Sequence, residues 1–236
     1  MKPLVTTESI LDVRADAVCA GVEIALNLSD TPVCRALAAA GGEGLLRPLE
    51  ESHHFLPVGS AVESARGALP FSHFIITAAP VWASGKSNEL LILHRCYQSV
   101  FSLAKELGCK SIALPFLAAL YYRFPKHEAV KIALREAERS GLAVTFAADT
   151  NELYEISRQP YRKPEIVSYV GYYRDHAIFE LDNGLFARVD LRRENTDVTT
   201  IPYFEACYRV GNNPLQEPLP DAEIARLRRI YEENDW

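Results

Sequence analysis

The chain has 236 residues, 48% of them hydrophobic and 24% charged, with a net charge of -6. That length is long for one domain and short for two full ones, with apolar residues enough for a sizeable core. No apolar run approaches the roughly 20 residues of a membrane helix, and the start, Met1-Lys2-Pro3, turns polar by Thr6 without an export signal. Neither a membrane partner nor a nucleic-acid partner is expected, since both would favour a basic surface. Five cysteines (Cys19, Cys34, Cys96, Cys109, Cys207) without a C-x-x-C pair give neither a disulfide frame nor a zinc knuckle. The expected location is the cytoplasm.

Charge divides unevenly: residues 1–150 hold 14 Lys+Arg and 15 Asp+Glu, and the remainder hold 11 and 16. The first part is rich in Ala and Leu, the second in Tyr, Arg and Asp. The run Arg158-Gln159-Pro160-Tyr161-Arg162-Lys163-Pro164 reads as a linker. It divides the chain into an α/β domain over 1–158 and a small β-rich extension over 159–236.

In chain order, Asp16 to Ala20 reads as a short buried strand. Thr31-Pro32 starts a helix, with Thr as N-cap and Pro in the first turn, and Gly41-Gly42 ends it. Gly59 to Arg66 reads as a surface strand, and His73 to Ala79 as a core strand closed by Pro80. A helix over about Ser87 to Leu107 carries Leu90, Leu93, Tyr97, Phe101, Ala104 and Leu107 on one face, with Gly108 as its cap. Ser111 to Phe116 is a buried strand, with Ile112, Ala113 and Leu114 expected at the centre of the sheet. Lys126 to Arg139 is a second amphipathic helix and Leu142 to Ala147 the next strand. This alternation predicts a parallel or mixed sheet with helices on both faces.

Beyond the linker, Ile166 to Tyr173 and His176 to Leu181 are β-rich. Asp182-Asn183-Gly184 predicts a hairpin turn leading into a strand over Leu185 to Asp190. Val198 to Val210 suggests another strand. Pro220-Asp221 starts a last helix with Ile224, Leu227 and Tyr231 on one face. A sheet this small is expected to dock on the first part.

Several pieces between residues 5 and 150 occur in a suggestive order: Asp16-Ala17-Val18, Phe74 to Trp82, Glu89-Leu90, Cys96-Tyr97, Leu103-Ala104, Gly108, Ser111-Ile112-Ala113-Leu114-Pro115 and Pro125. In order and spacing they resemble the macrodomain family, the ADP-ribose-binding α/β module. The resemblance implies a mixed sheet flanked by helices and a cleft for an ADP-ribose-like nucleotide. Family members grip the diphosphate with the bare backbone of two glycine loops. The second loop, Ser-Thr-Gly-Val/Ile-Tyr/Phe-Gly, falls here on Ala118, Ala119, Leu120, Tyr121, Tyr122 and Arg123, so Leu120 and Arg123 replace both glycines. The family's Asn-Ala-Ala-Asn and Gly-Gly-Gly run are replaced by Cys19-Ala20-Gly21-Val22 and Leu28 to Pro32. Its adenine-contacting Asp falls at Ser9.

The cleft candidates implied are Cys19, Ala119, Leu120, Tyr121, Tyr122 and Arg123. Tyr121 and Tyr122 either stack on a ligand or fill the cleft. Arg123 either meets a phosphate through its guanidinium fork or is a solvated charge. Cys19, where the family keeps an asparagine, is expected to be a buried thiol without a catalytic base. Adjacent His53 and His54 lack metal-ligand spacing, and Ser84-Gly85-Lys86-Ser87 lacks the full phosphate-loop motif. Neither a metal nor a cofactor is expected. Arg192, Arg193, Arg226, Arg228 and Arg229 read as solvated faces. Three functions stay open: a binding module with a remodelled cleft, a pseudo-macrodomain meeting a protein partner through its acidic C-terminal part, or an ADP-ribosyl hydrolase.

Overall fold

In the computed structural model, described residues are 1–22, 27–42, 45, 55–82, 89–120, 124–160, 163–182, 185–191, 199–201 and 219–233, of which 199–201 are backbone only. They fall in two compact units, one of Met1–Trp82 with Asn88–Tyr161, the other built on Arg162–Trp236.

The first unit is a six-stranded sheet of β1 (Leu4–Thr6), β2 (Ala17–Val22), β3 (Ala61–Ser64), β4 (His73–Ala78), β5 (Ser111–Pro115) and β6 (Ala143–Ala147). Their order across it is β1-β6-β5-β2-β4-β3. Every neighbouring pair is parallel except β3 with β4. The mixed sheet expected from the apolar runs is therefore present, and Ile112, Ala113 and Leu114 are 0% exposed near its centre.

Helices cover both faces, which is why β2 is buried at every position. Side chains alternate along it. Val18, Ala20 and Val22 join Val33, Cys34 and Leu37 of α1 (Pro32–Gly41). Ala17 and Cys19 join the opposite core, with Leu93, Tyr97 and Phe101 of α2 (Glu89–Glu106) and Ala129, Val130 and Ala133 of α3 (Lys126–Ser140). Helix ends follow the sequence signals. Thr31 Oγ1 accepts the Cys34 N–H at 3.2 Å, and Gly42, at φ 83°, donates its N–H to the Ala38 carbonyl. Between α2 and α3 the buried Glu136 carboxylate receives His94 Nδ1 at 2.9 Å and Gln98 Nε2 at 3.1 Å.

Besides a 3-10 turn at Ile10–Asp12, a strand and a helix of this unit were not anticipated. Strand β1 is three residues long and pairs only with β6 at the sheet edge, too short to leave a period-two pattern. Helix α4 (Asn151–Arg158), capped by the Thr150 hydroxyl, packs Leu153 and Ile156 onto the α2–α3 core.

At the other end of the sheet, Asp16 ties the starts of β2 and β5 together. Its Oδ2 accepts Lys110 N–H at 2.8 Å, Ser111 N–H at 3.0 Å and the Ser111 hydroxyl at 3.0 Å. These bonds, the one from Lys110 foremost, hold its carboxyl below the usual carboxylate range. A depressed folded-state pKa gives stability that is present above about pH 4 and lost as pH falls through the lower folded value. Wild type should therefore lose denaturant resistance as pH falls below about 4 more steeply than Asp16→Asn. Parallel curves in that window would show that the latch carries no charge-dependent stability.

The second unit is an antiparallel sheet of order β10-β9-β8-β7, from β7 (Ile166–Tyr173), β8 (His176–Leu181), β9 (Phe186–Asp190) and β10 (Thr199–Ile201). The expected turn after β8 falls between β8 and β9, where the Leu181 N–H meets the Leu185 carbonyl. Asn183 and Gly184 themselves lie outside the described residues. The β7–β8 turn lies at Arg174, in the left-handed region at φ 54°, where no glycine or asparagine marked it. Only the start of the strand suggested over 198–210 is described. Helix α5 (Asp221–Glu233) buries Leu227 and Tyr231, and the Tyr231 hydroxyl donates to the Pro164 carbonyl at 2.6 Å. Arg226 departs from the solvated reading. It is half-buried, pairs with Glu223 at 2.6 Å and donates to the Leu191 carbonyl at 3.0 Å. Arg192 and Arg193 lie outside the described residues.

Candidate functional site

In an open α/β sheet, ligands bind beyond the carboxyl ends of strands, where consecutive connections depart to opposite sides. Here that point lies between β2 and β5, since β2 connects onward toward β4 while β5 leads to β6. A cavity opens there, lined by Gly21, Ser29, Thr31 and Cys34 on one side, by Pro115 to Ala118 with Leu120 on another, and by Asp149 beyond β6. It is open to solvent, with an empty volume of about 260 Å3 that includes part of that solvent.

The loop leaving β5 is held from below. Tyr97 is 0% exposed, and its hydroxyl accepts the buried Leu117 N–H at 2.8 Å. Phe116 stacks on Phe146 with centroids 4.7 Å apart. Ala118 then takes φ 63°, a left-handed conformation that costs a non-glycine residue on the order of 1 kcal/mol. Tyr97→Phe would strand the Leu117 N–H without a partner. It should cost about 1–3 kcal/mol in urea unfolding. A change below 0.5 kcal/mol would mean the loop is held by other contacts.

Across the cavity, Asp149 Oδ1 accepts the Val33 N–H at 2.8 Å in the first turn of α1. Burial raises its carboxyl above the usual range, opposed by the Val33 N–H and the Thr31 hydroxyl. Its Oδ2 is buried without a hydrogen-bond partner among the described residues.

A family model described as "Macro domain" matches residues 25–133. O-acetyl-ADP-ribose deacetylase 2 of Pantoea vagans is 30% identical over 166 residues, covering 64% of this chain and 90% of that protein. The chain belongs to the macrodomain family. O-acetyl-ADP-ribose deacetylase 1 of the same organism is 36% identical over 107 residues, 41% of this chain and 62% of that one. Against other relatives matched over such short stretches this macrodomain spans about half their length. The structure of the Trypanosoma brucei macrodomain in complex with ADP-ribose superposes with a TM-score of 0.59 at 23% identity, covering 66% of this chain and 67% of that one. That likeness is one of fold.

Within this macrodomain, the sequence-derived candidates fall in different places. Leu120 lines the cavity. Ala119 is buried beside it, its N–H bonded to the Phe116 carbonyl at 3.3 Å, and does not reach the lining. Cys19 is 0% exposed and sits in the α2–α3 core, because strand alternation turns it away from α1. Its thiol donates to the Ala20 carbonyl, and burial raises its pKa well above the ordinary thiol value, leaving no nucleophilic thiolate. It is a packing residue. Cys34, on the lining itself, is pushed up to about 11 by burial and is equally inert. Tyr121, Tyr122 and Arg123 lie outside the described residues, as do His53, His54 and 84–87.

Sequence reasoning missed most of the lining. Thr31 was recognised as a helix cap, not as a cavity wall. Asp149 gave one usable signal: it is the single acidic residue where β6 gives way to α4, at the carboxyl edge of the sheet. Gly21 marks a close approach. A Cβ there would lie 3.1 Å from Ser29 Oγ and 3.6 Å from Leu117 Cδ2, so any larger side chain would enter the cavity.

Proposed function

We propose that this macrodomain is a binding module for an ADP-ribose-related nucleotide, held in a cleft rebuilt with side chains. The observation that carries the reading is the cavity at the β2–β5 switch point, bounded by α1, the β5 loop and Asp149. In this reading, Arg123 and Tyr122 supply the phosphate and stacking contacts that glycine loops supply elsewhere in the family. Residues 1–158 form the binding domain. The acidic extension over 159–236 is a separate unit available to a protein partner. The buried, free thiols Cys19, Cys34, Cys96 and Cys109 fit work in a reducing compartment such as the cytoplasm.

One observation favours a second reading. Phe116, Leu117, Ala118 and Leu120 line the cleft with apolar side chains, which fits a pseudo-macrodomain whose cleft is filled by its own side chains. Thermal melting of the full chain with ADP-ribose and with NAD separates the two. A ligand that binds the folded state raises the melting temperature in proportion to its occupancy. A rise with ADP-ribose supports the binding module, and no rise with either nucleotide leaves the filled cleft. Release of ADP-ribose from a modified protein would instead reveal a hydrolase.

A further inference from the structure

The cleft contains a polar atom that its own chain leaves unsatisfied. Asp149 lines the cavity and spends Oδ1 on the Val33 N–H of α1. Its Oδ2 is buried and has no hydrogen-bond partner among the described residues. A buried acceptor without a donor costs free energy, and a donor brought by a ligand recovers it. One further observation narrows the donor. The amino end of α1 attracts anions through its unpaired N–H groups, yet this end is occupied: Asp149 takes the Val33 N–H and Thr31 Oγ1 takes the Cys34 N–H. A phosphate placed there would meet a carboxylate in a poorly solvated setting, where like charges repel strongly. The nearest cation in sequence on α1, Arg35, is paired with Asp30 at 2.5 Å on the surface.

We propose that Asp149 sets the selectivity of the cleft: the group seated against it is a neutral hydrogen-bond donor, a hydroxyl or an amino group, and phosphate is kept from the α1 end. The proposal rests on the nucleotide-binding reading above and refines it.

The test compares ADP-ribose with inorganic pyrophosphate, by calorimetry, on the full chain as wild type, Asp149→Asn and Asp149→Ser. Both substitutions keep an acceptor for the Val33 N–H and remove the charge, and melting curves show that each variant is folded; if one is not, the other decides. Pyrophosphate should bind both variants at least about tenfold more tightly than wild type, and the preference for ADP-ribose over pyrophosphate should shrink by at least that factor. If wild type binds ADP-ribose while the variants bind pyrophosphate no better than wild type does, the Asp149 proposal is overturned and the nucleotide reading stands. If wild type ignores ADP-ribose while the variants gain pyrophosphate, the charge argument at α1 holds and the nucleotide reading fails. Silence from all three proteins with both probes overturns both.

Discussion

Phe146→Ala should destabilise the protein by about 3–5 kcal/mol, a large share of the 5–15 kcal/mol that typically holds a domain folded. The ring is 0% exposed on β6. It stacks on Phe116 at 4.7 Å with the planes 8° apart, and meets Tyr97 edge-on at 6.2 Å and 77°. Truncation removes the transfer free energy of a whole ring. It also leaves a cavity that parallel strands, covered on both faces, cannot close by collapsing. The loss extends to the candidate site, because Phe116 and Tyr97 are the two groups that seat the loop leaving β5. Urea unfolding should show a lower midpoint with an unchanged slope. Leu4→Ala, at a residue 68% exposed on the edge strand, should stay within about 0.5 kcal/mol. A Phe146→Ala penalty under 1 kcal/mol would mean that β6 does not sit over the centre of the core.

Why some elements were legible and others not follows from what each buries. Strands β2, β4, β5 and β6 have helices on both faces, so they appear as continuous apolar runs that no surface strand would show. Helices α2 and α3 lay one stripe on the core, so their three-and-four spacing survives in the sequence. Thr31, Gly42, Gly108 and Gly141 satisfy helix ends by local chemistry that needs no tertiary context. Strand β1 and helix α4 carry no such mark. Their few buried positions are chosen by neighbours distant in sequence. The Arg174 turn was illegible because arginine is not a residue that favours positive φ. The site was read least well, and for a related reason. A cleft is assembled from the ends of several elements and has no periodicity. Leu120, which lines the cavity, was named because the family's second loop could be laid on the chain without a gap. Cys19 was named from the separate comparison with the first loop, although its neighbours Val18 and Ala20 already marked the alternation that turns it into the opposite core. Asp149 was overlooked because its role depends on α1, more than a hundred residues earlier.

ADP-ribose should bind this chain at least about a hundredfold more weakly than a cleft whose phosphate loop keeps its glycines. A glycine can bring its N–H to about 3 Å from a phosphate oxygen with no Cβ between. Leu120 puts a branched side chain into that space and lines the cavity with it. Among the described residues of this loop the left-handed one is Ala118, two positions earlier, so the N–H groups from Ala118 to Leu120 follow another path. Each charge-assisted bond lost is worth about 1.5–3 kcal/mol, and losing two accounts for the factor. Arg123 is the residue able to restore part of it, because a guanidinium reaches phosphate by its own fork and needs no bare backbone. Arg123→Ala should therefore weaken the remaining affinity about tenfold or more, while Tyr121→Phe, which keeps the ring, should change it little. Calorimetry on the three proteins decides between backbone and side-chain recognition. A low-micromolar dissociation constant for ADP-ribose that is indifferent to Arg123→Ala would mean that the loop still presents its backbone to phosphate, and that Leu120 lies aside from the ligand's path.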